Sequence, residues 1–232
     1  MYALLKRLFD ILFGCLLMLV VIVTYPFVAL GIKLSSPGPI MYVSTRIGKG
    51  GKPFKFYKYR SMHLDDGRYK GMSEEQKRVF TVGKIIRRTK IDELPQAINV
   101  LKGDISVVGP RPMLTTNVSK MYGGRYEPVL TVAPGLTSYA SLFDYTHGDA
   151  FVGNREVYLK EIVPVKRELE LYYVEHKGLW TDITLIFKTA AIILTVVFGK
   201  KKFAYPKEYY IVKERLDQLE EADNKSSGST AK

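Results

Sequence analysis

The feature that most constrains the fold is an apolar segment near the N-terminus. Ile11 to Ile32 is a run of 22 residues without a charged side chain, preceded by Lys6 and Arg7 and followed by Lys33. A helix of that length rises about 33 Å, which is roughly one hydrocarbon thickness of a bilayer. The segment therefore predicts a membrane-associated helix. A signal peptide is the weaker interpretation, because the stretch is too long and no small-residue cleavage site follows it.

Pro26 lies inside this segment and predicts a bend. A proline within a helix removes one hydrogen bond and clashes with the carbonyl four residues earlier. Basic residues flank both ends of the segment, with Lys6 and Arg7 before it and Lys33 and Arg46 after it. Positive charge favours the cytoplasmic face. A re-entrant helix, broken at the proline and returning to the face that it entered, satisfies both flanks, whereas a straight span with a kink satisfies one.

Composition narrows the class of protein. The chain has 232 residues, 47% of them hydrophobic and 25% charged, which excludes both a disordered tail and a polytopic membrane protein. A formal charge of +12 indicates a polyanionic partner: nucleic acid, an anionic bilayer or phosphorylated ligands. The sequence carries no recognised nucleic-acid-binding motif, so we expect no nucleic-acid partner. A single cysteine, Cys15, and three histidines leave no internal disulfide and no zinc-type ligand cluster.

Local patterns predict an α+β fold. In chain order, they predict a strand at Pro53–Tyr59, a helix opening at Asp92 and closing at Lys102, a strand at Ile105–Val108, a turn at Val132–Thr137, and helices at Glu156–Glu175 and Leu179–Phe198. The longest uncharged run of the last helix is too short to span a bilayer, so we expect an interfacial helix there. The expected organisation is a membrane helix at 1–34, a catalytic domain at 35–203 and a C-terminal tail at 204–232. The Ser/Gly-rich end from Ala222 onward is expected to be disordered.

Two adjacent carboxylates, Asp92 and Glu93, follow a basic stretch that contains Arg87, Arg88 and Lys90. In one interpretation they are structural, with Asp92 as a helix N-cap and Glu93 answering the helix dipole. In the other, the cations hold phosphate groups while a carboxylate acts on phosphorus. A divalent metal between carboxylate and diphosphate would assist that chemistry. The nearby membrane segment points to a lipid-borne phosphate as one substrate.

A second candidate is Arg111, which has a proline on each side. The prolines fix the backbone and can present the guanidinium rigidly to a phosphate. The alternative is a rigid surface turn with an incidental arginine. His63, His147 and His176 lie at no ligand or triad spacing and are interpreted as structural.

The order of these motifs resembles the bacterial sugar transferases, the monotopic phosphoglycosyl transferases that start glycoconjugate assembly. The segments that carry the resemblance are, in chain order, residues 6–10 (KRLFD), Pro26 in the membrane segment, Arg46-Ile47-Gly48, residues 54–62, residues 92–96 (DELPQ), residues 99–112 (NVLKGDISVVGPRP), residues 134–137 (PGLT) and Tyr172-Tyr173. The resemblance covers about residues 2–200. It is closest to the minimal catalytic form, without the additional N-terminal transmembrane bundle of larger relatives.

The resemblance implies a transferase that moves a phosphosugar from a UDP-sugar to polyprenyl phosphate, normally undecaprenyl phosphate, and releases UMP. The carboxylate matching Asp92 attacks the β-phosphate and forms a covalent phosphosugar intermediate, with Glu93 as the second catalytic carboxylate. Mg²⁺ is the family's metal, and Asp92 is the matching ligand. The basic positions that match diphosphate or uridine contacts are Arg87, Arg111, Lys58 and Arg60.

The resemblance also implies a location, the cytoplasmic face of the bacterial inner membrane, with a re-entrant helix and further interfacial amphipathic helices. The reaction would be the first membrane step in assembling an exopolysaccharide, capsule, O-antigen or glycoprotein glycan. The sequence departs from the family pattern after Pro134-Gly135, where residues 136–145 read LTSYASLFDY, and this leaves the sugar open. The alternative is a non-catalytic membrane-surface protein whose basic stripe binds anionic lipid, which predicts a solvated, dispensable Asp92.

Overall fold

The computed structural model describes residues 1–64, 79–148, 155–200 and 202–229. The helices are α1 (Tyr2–Ser35), α2 (Thr81–Arg88), α3 (Ala97–Lys102), α4 (Val118–Tyr122), α5 (Tyr139–His147), α6 (Arg155–Val157), α7 (Val163–His176), α8 (Leu179–Val197) and α9 (Lys207–Ser229). The strands are β1 (Met41–Ile47), β2 (Pro53–Tyr59), β3 (Ser106–Val108), β4 (Met113–Leu114) and β5 (Gly135–Thr137). A π-helical turn (Tyr158–Ile162) joins α6 to α7, and a 3-10 helix (Ile91–Gln96) precedes α3. This mixture of helix and sheet confirms the α+β class.

Two small sheets support the centre of the molecule. The first has the order β2-β1-β4 and is antiparallel, with Met41 opposite Tyr59 at one end of the β1–β2 pair. The second pairs β3 with β5 in parallel, with Val108 opposite Thr137. The predicted strands β2 and β3 are confirmed within one residue. The predicted turn at 132–137 ends in β5 instead, because its last residues complete the parallel pair with β3.

The first half of α1 is anchored to the rest of the protein by polar contacts. Arg7 donates hydrogen bonds to the Val100 and Leu101 carbonyls, both at 2.7 Å, at the end of α3. The buried carboxylate of Asp10 accepts from the backbone N–H of Val107 at 2.9 Å, in β3. Arg7, in the basic flank that precedes the apolar segment, therefore contacts the end of α3, and Asp10 contacts β3.

The second half of α1 is anchored by packing. Val28 and Ile32 form a buried cluster with Tyr59 of β2, with Phe80, which directly precedes α2, and with Ile86 of α2. The helix continues on both sides of Pro26 and ends only at Ser35, so the proline does not terminate it. Both ends of α1 therefore pack against the same folded body.

Two helices present apolar side chains outward. By length and composition α1 and α8 each could cross a membrane, and only a small part of either apolar window is buried in the protein. The outward face of α1 is apolar from Leu4 to Leu34, and α8 exposes Trp180 and Phe187. Such surfaces are typical of membrane contact.

The segment that contains the two adjacent carboxylates Asp92 and Glu93 (the dyad) differs from the predicted single helix. Lys90 adopts a left-handed backbone conformation, φ 59°, and the chain then forms the 3-10 helix before α3 begins at Ala97. Pro95 cannot donate a backbone hydrogen bond, which limits regular α-helix at this point. Asp92 therefore lies inside the 3-10 helix and is not an N-cap, so the capping interpretation of this residue is wrong.

The C-terminal region is more ordered than expected. Residues predicted as a tail form α9, whose Val212 is fully buried in a core cluster with Phe143 of α5 and Leu169 of α7. Glu208 of α9 is also buried and pairs with Lys188 of α8 at 3.0 Å. The helix runs to Ser229, beyond the expected onset of disorder at Ala222, and residues 230–232 lie outside the described residues. Composition alone missed this helix because a few buried side chains, rather than its polar majority, hold it in place.

Candidate active site

A recess of about 280 Å³ lies between the first sheet, the 3-10 helix and the Arg111 turn. Its polar lining side chains are Arg46 of β1, Lys58 of β2, Glu93, Gln96 and Arg111. Alternation along β2 directs Lys58 to this side, and the ring of Phe56 from the same strand also lines the recess. Three cations converging on one small cavity form a site suited to a polyanion such as a diphosphate.

Glu93 is the anionic centre of this recess. Its Oε1 atom accepts from Lys58 Nζ at 2.9 Å and lies 3.7 Å from Lys90 Nζ, while Gln96 donates to Oε2 at 3.3 Å. Burial by itself would raise the pKa of Glu93, but Lys58, Lys90 and Arg111 hold that pKa well below its usual range. The carboxylate is therefore ionised at neutral pH and fixes two lysines beside the cavity.

Asp92 has the opposite environment. Its side chain is buried, with the residue only 7% exposed, and Oδ1 has no hydrogen-bond partner among the described residues. Burial raises the pKa of Asp92, opposed by the charges of Lys58, Lys90 and Arg87. A buried carboxylate oxygen without a donor is costly to maintain, and such groups are enriched at functional sites. Asp92 is thus a poorly solvated carboxylate beside a cationic recess.

Arg111 is held rigidly by its backbone. Its N–H donates to Glu170 Oε1 at 2.9 Å, and its carbonyl accepts from the Tyr122 hydroxyl at 3.2 Å. Although burial alone would lower it, the carboxylates of Glu93, Asp144 and Glu170 raise the pKa of Arg111. The guanidinium lines the recess. These contacts favour the interpretation of a fixed cation over that of an incidental surface arginine.

The other predicted basic residues separate into two groups. Arg87 lies close enough to Asp92 for its charge to lower the pKa of that carboxyl. Arg60 is buried away from the recess, and its guanidinium donates to the Pro39 carbonyl and to both oxygens of Ser36. Three of its donors are thus occupied by the loop after α1, which argues against a substrate contact, and that contact stays a prediction. Arg88 donates to two carbonyls at the end of α8.

Sequence reasoning did not single out Arg46 and Gln96, which line the recess, and it named Lys90, which contacts Glu93, only among the cations that could hold phosphate groups. Gln96 and Arg46 stood within motifs that carried the family resemblance, but no spacing rule connected β1 with the dyad. Lys90 was visible only as one cation of a basic run. Arg46 of β1 and Lys58 of β2 both lie over the ring of Phe56, 5.4 and 5.5 Å from its centroid, and this arrangement cannot be read from either segment alone.

A divalent metal was expected at Asp92. Among the described residues no group of three or more His, Cys, Asp or Glu side chains could hold an ion by itself. Mg²⁺ usually takes one or two protein carboxylates and completes its shell with water and substrate phosphate. The unpartnered Oδ1 of Asp92 fits one such ligand position. The Nδ1 atoms of the three histidines lie apart from this site, bonded to Ser36, Thr146 and Tyr172.

Residues 1–196 match the family model described as bacterial sugar transferase. The chain belongs to the bacterial sugar transferase family. Among its relatives in this family, the UDP-N-acetylgalactosamine-undecaprenyl-phosphate N-acetylgalactosaminephosphotransferase of Aeromonas hydrophila is 36% identical over 200 residues, which is 84% of this chain and 44% of the relative. The UDP-glucose:undecaprenyl-phosphate glucose-1-phosphate transferase of Escherichia coli K12 is 36% identical over 80% of this chain and 39% of its own length.

Another member of the bacterial sugar transferases, the exopolysaccharide production protein PSS of Rhizobium leguminosarum bv. phaseoli, is 36% identical over 82% of this chain and 96% of its own length. The chain thus spans less than half the length of the first two relatives and nearly all of this one. The match ends at residue 196, so α9 lies beyond the part shared through the family model.

Proposed function

We propose that the chain is a phosphoglycosyl transferase that moves a phosphosugar from a UDP-sugar to polyprenyl phosphate and releases UMP. The observation that carries the proposal is the contrast between two adjacent carboxylates. Oδ1 of Asp92 is buried without a hydrogen-bond partner in the described part of the chain, whereas Glu93 is ionised and pairs with Lys58 and Lys90 beside a cationic recess. The names of two relatives describe the transfer of a phosphosugar from a UDP-sugar to undecaprenyl phosphate.

In the proposed first step, an Asp92 carboxylate oxygen attacks the β-phosphorus of the UDP-sugar. The bond from that phosphorus to the bridging oxygen breaks, and UMP leaves with the electron pair. The phosphosugar remains on Asp92 as an acyl phosphate. In the second step, a phosphate oxygen of the polyprenyl phosphate attacks the same phosphorus and the Asp92 carboxylate leaves. Splitting the exchange in this way lets one site carry out two in-line displacements.

The cations have defined tasks in this scheme. Arg111, Arg46 and Lys58 line the cavity and would neutralise the diphosphate and the charge that develops on leaving UMP. Glu93 holds Lys58 and Lys90 in position, so the lysines are preorganised before substrate arrives. Mg²⁺ bound between Asp92 and the diphosphate would supply further charge neutralisation.

A re-entrant path of α1, entering and leaving the cytoplasmic leaflet on one side, forms part of the proposal. Arg7 and Asp10 attach the first half of α1, and Ile32 attaches the second half, to one folded body. A straight span would separate its two ends by roughly 30 Å of hydrocarbon. Attachment at both ends therefore favours a monotopic protein, with Pro26 just before the attached residues Val28 and Ile32 and with α8 as a second interfacial helix.

The non-catalytic alternative, a surface protein that binds anionic lipid, required a solvated and dispensable Asp92. The burial of that side chain argues against it. The discriminating experiment is UMP release in detergent across a panel of UDP-sugars, comparing wild type with Asp92→Asn. The matched control is Asp217→Asn, which alters an exposed ion pair on α9. We expect release from wild type and the control and none from Asp92→Asn; equal rates in all three would contradict the proposal.

A further inference from the structure

A polar cluster beside the recess has no role in the phosphoryl chemistry above. Lys166 of α7 donates to Asp144 Oδ1 of α5 at 2.8 Å, and the Tyr158 hydroxyl donates to the same oxygen at 2.9 Å. Lys166 also donates to the Tyr158 hydroxyl at 2.8 Å. These three side chains, the acid–amine–phenol cluster, thus form a closed triangle of hydrogen bonds.

The cluster adjoins the recess through Arg111. The charges of Glu93 and Asp144, in that order, are the two carboxylate charges that most strongly raise the pKa of Arg111. The guanidinium therefore has the dyad near it and Asp144 near it as well. The next residue of α5, Tyr145, places its ring 4.5 Å from Lys90 Nζ. Helix α5 therefore contacts the segment that leads into Asp92 and Glu93, and Asp144 is the residue before this contact.

The cluster is built by an unusual backbone feature. Residues eight apart on a regular α-helix are rotated by about 80° around the axis, which would separate Tyr158 from Lys166. The π-helical turn that begins at Tyr158 accommodates an additional residue and brings the two side chains onto one face. Such turns are rare, and they occur frequently at functional sites. An ion pair needed only for packing would not require one.

The cluster retains hydrogen-bonding capacity for a ligand. The side chain of Asp144 is 28% exposed and that of Lys166 is 13% exposed, so both remain accessible at the edge of the site. An ionised carboxylate offers about four acceptor positions and an ammonium three donors. The triangle uses two of each. An acceptor and a donor held side by side match a hydroxyl group, which donates and accepts at once.

We propose that Asp144, Lys166 and Tyr158 bind hydroxyl groups of the sugar carried by the donor and set which sugar is accepted. This inference rests on the proposed function. The sugar is bonded to the β-phosphate, and Arg111 is the cation that holds the diphosphate next to Asp92. Asp144 lies close enough to Arg111 for its charge to act on the guanidinium, so a sugar on a diphosphate that Arg111 holds would come within reach of this cluster. Asp144 also falls within residues 136–145, where the sequence departs from the family pattern.

The experiment compares wild type, Tyr158→Phe, Asp144→Asn and the control Asp217→Asn. Tyr158→Phe keeps the Asp144–Lys166 pair and removes one hydroxyl, so it preserves folding even if Asp144→Asn does not. For each protein, kcat/KM for UMP release is measured with UDP-glucose, UDP-galactose and their N-acetylamino counterparts. The affinity for UDP, which lacks the sugar, is measured alongside.

A site that recognises the sugar predicts that Tyr158→Phe changes the ratio of kcat/KM between the best and second-best sugars by about tenfold, because a lost hydroxyl partner is felt by one epimer more than another. UDP affinity stays within about twofold of wild type, and the control leaves both unchanged. An unchanged ratio overturns the proposal, as does a uniform fall in all sugars together with UDP, which would place the nucleoside there. A wild-type protein that releases UMP from none of the donors would overturn the proposed function itself.

Discussion

Glu170 of α7 accepts a hydrogen bond from the backbone N–H of Arg111, at 2.9 Å. The same oxygen accepts from the Ser138 hydroxyl at 3.1 Å, and Ser138 caps the N-terminus of α5. One buried carboxylate therefore joins the turn that carries Arg111 to the helix that carries Asp144. Its second oxygen is buried without a hydrogen-bond partner among the described residues. This contact links the turn proposed to hold the diphosphate to the helix proposed to contact the sugar.

Glu170 predicts a pH dependence of stability. Burial raises the pKa of Glu170 to about 7, from 4.5. Between about pH 4.5 and pH 7 the folded protein then binds more protons than the unfolded chain. As the pH rises through that window, the contribution of Glu170 to the free energy of unfolding therefore falls, by roughly 3 kcal/mol at most. Glu170→Gln keeps an acceptor for Arg111 and removes the titration. Thermal unfolding is measured in detergent at pH 5 and pH 7.5, and the loss of stability on going from pH 5 to pH 7.5 should be smaller for the variant than for wild type. Equal losses of stability in the two proteins would refute this role of Glu170.

Substitution of Lys58, the cation paired with Glu93, is expected to lower activity. Lys58→Met removes the nearest cation to Glu93 and one cation of the recess, so we expect kcat/KM for the UDP-sugar to fall by about 10- to 100-fold. Lys58→Arg, which keeps the charge, should restore part of the loss. Lys213→Met, which breaks the exposed pair with Asp217, is the control. Activity of Lys58→Met equal to that of the control would show that the ion pair is dispensable.

Arg60 predicts a structural defect instead. Its guanidinium is buried and makes three hydrogen bonds to the loop that follows α1. Arg60→Met removes the donor from the Pro39 and Ser36 carbonyls, and we expect a loss of about 2–4 kcal/mol in the free energy of unfolding. The KM of the remaining folded enzyme for its UDP-sugar should stay near that of wild type. A raised KM with unchanged thermal stability would restore Arg60 to substrate binding.

The topology of α1 gives a prediction at two exposed positions. In a Cys15→Ser background, Ala3→Cys and Lys33→Cys each place a thiol at an exposed position at one end of α1, outside the uncharged run Ile11–Ile32. In oriented membrane vesicles, a membrane-impermeant maleimide should label both from the cytoplasmic side. Labelling from opposite sides would establish a spanning helix. Pro26→Ala, which restores a helical hydrogen bond, should shift part of the population toward spanning.

The sequence predicted those parts of the fold that depend on local pattern. The apolar helix α1, strands β2 and β3 and the α+β class followed from periodicity, and the pairing of Asp92 with Glu93 followed from adjacency. The contacts that decide roles did not. Arg60 and Lys58 stand two residues apart in one basic stretch, yet one is buried against a loop and the other contacts Glu93. Strand β2 ends at Tyr59, so Arg60 already belongs to the segment that meets the loop after α1, and alternation along the strand does not predict this.

Helix α9 illustrates a second limit. Its sequence is polar and ends in Ser and Gly, which indicates disorder, while its stability comes from Val212 and Glu208 fitting a surface formed by distant helices. The left-handed backbone at Lys90 is similar, because no residue type there signals it. Both features depend on long-range packing that composition does not record.

If Asp92 is the nucleophile, a single turnover without acceptor leaves the phosphosugar on the enzyme. Detergent-solubilised enzyme is mixed with a UDP-sugar and Mg²⁺, UMP is quantified per enzyme, and the peptide containing Asp92 is examined by mass spectrometry. We expect about one UMP per enzyme and a phosphosugar on Asp92. In Asp92→Asn we expect no UMP release and no modified peptide. UMP that appears only after polyprenyl phosphate is added, with no modified peptide, would contradict this role of Asp92 and establish a direct transfer through a ternary complex.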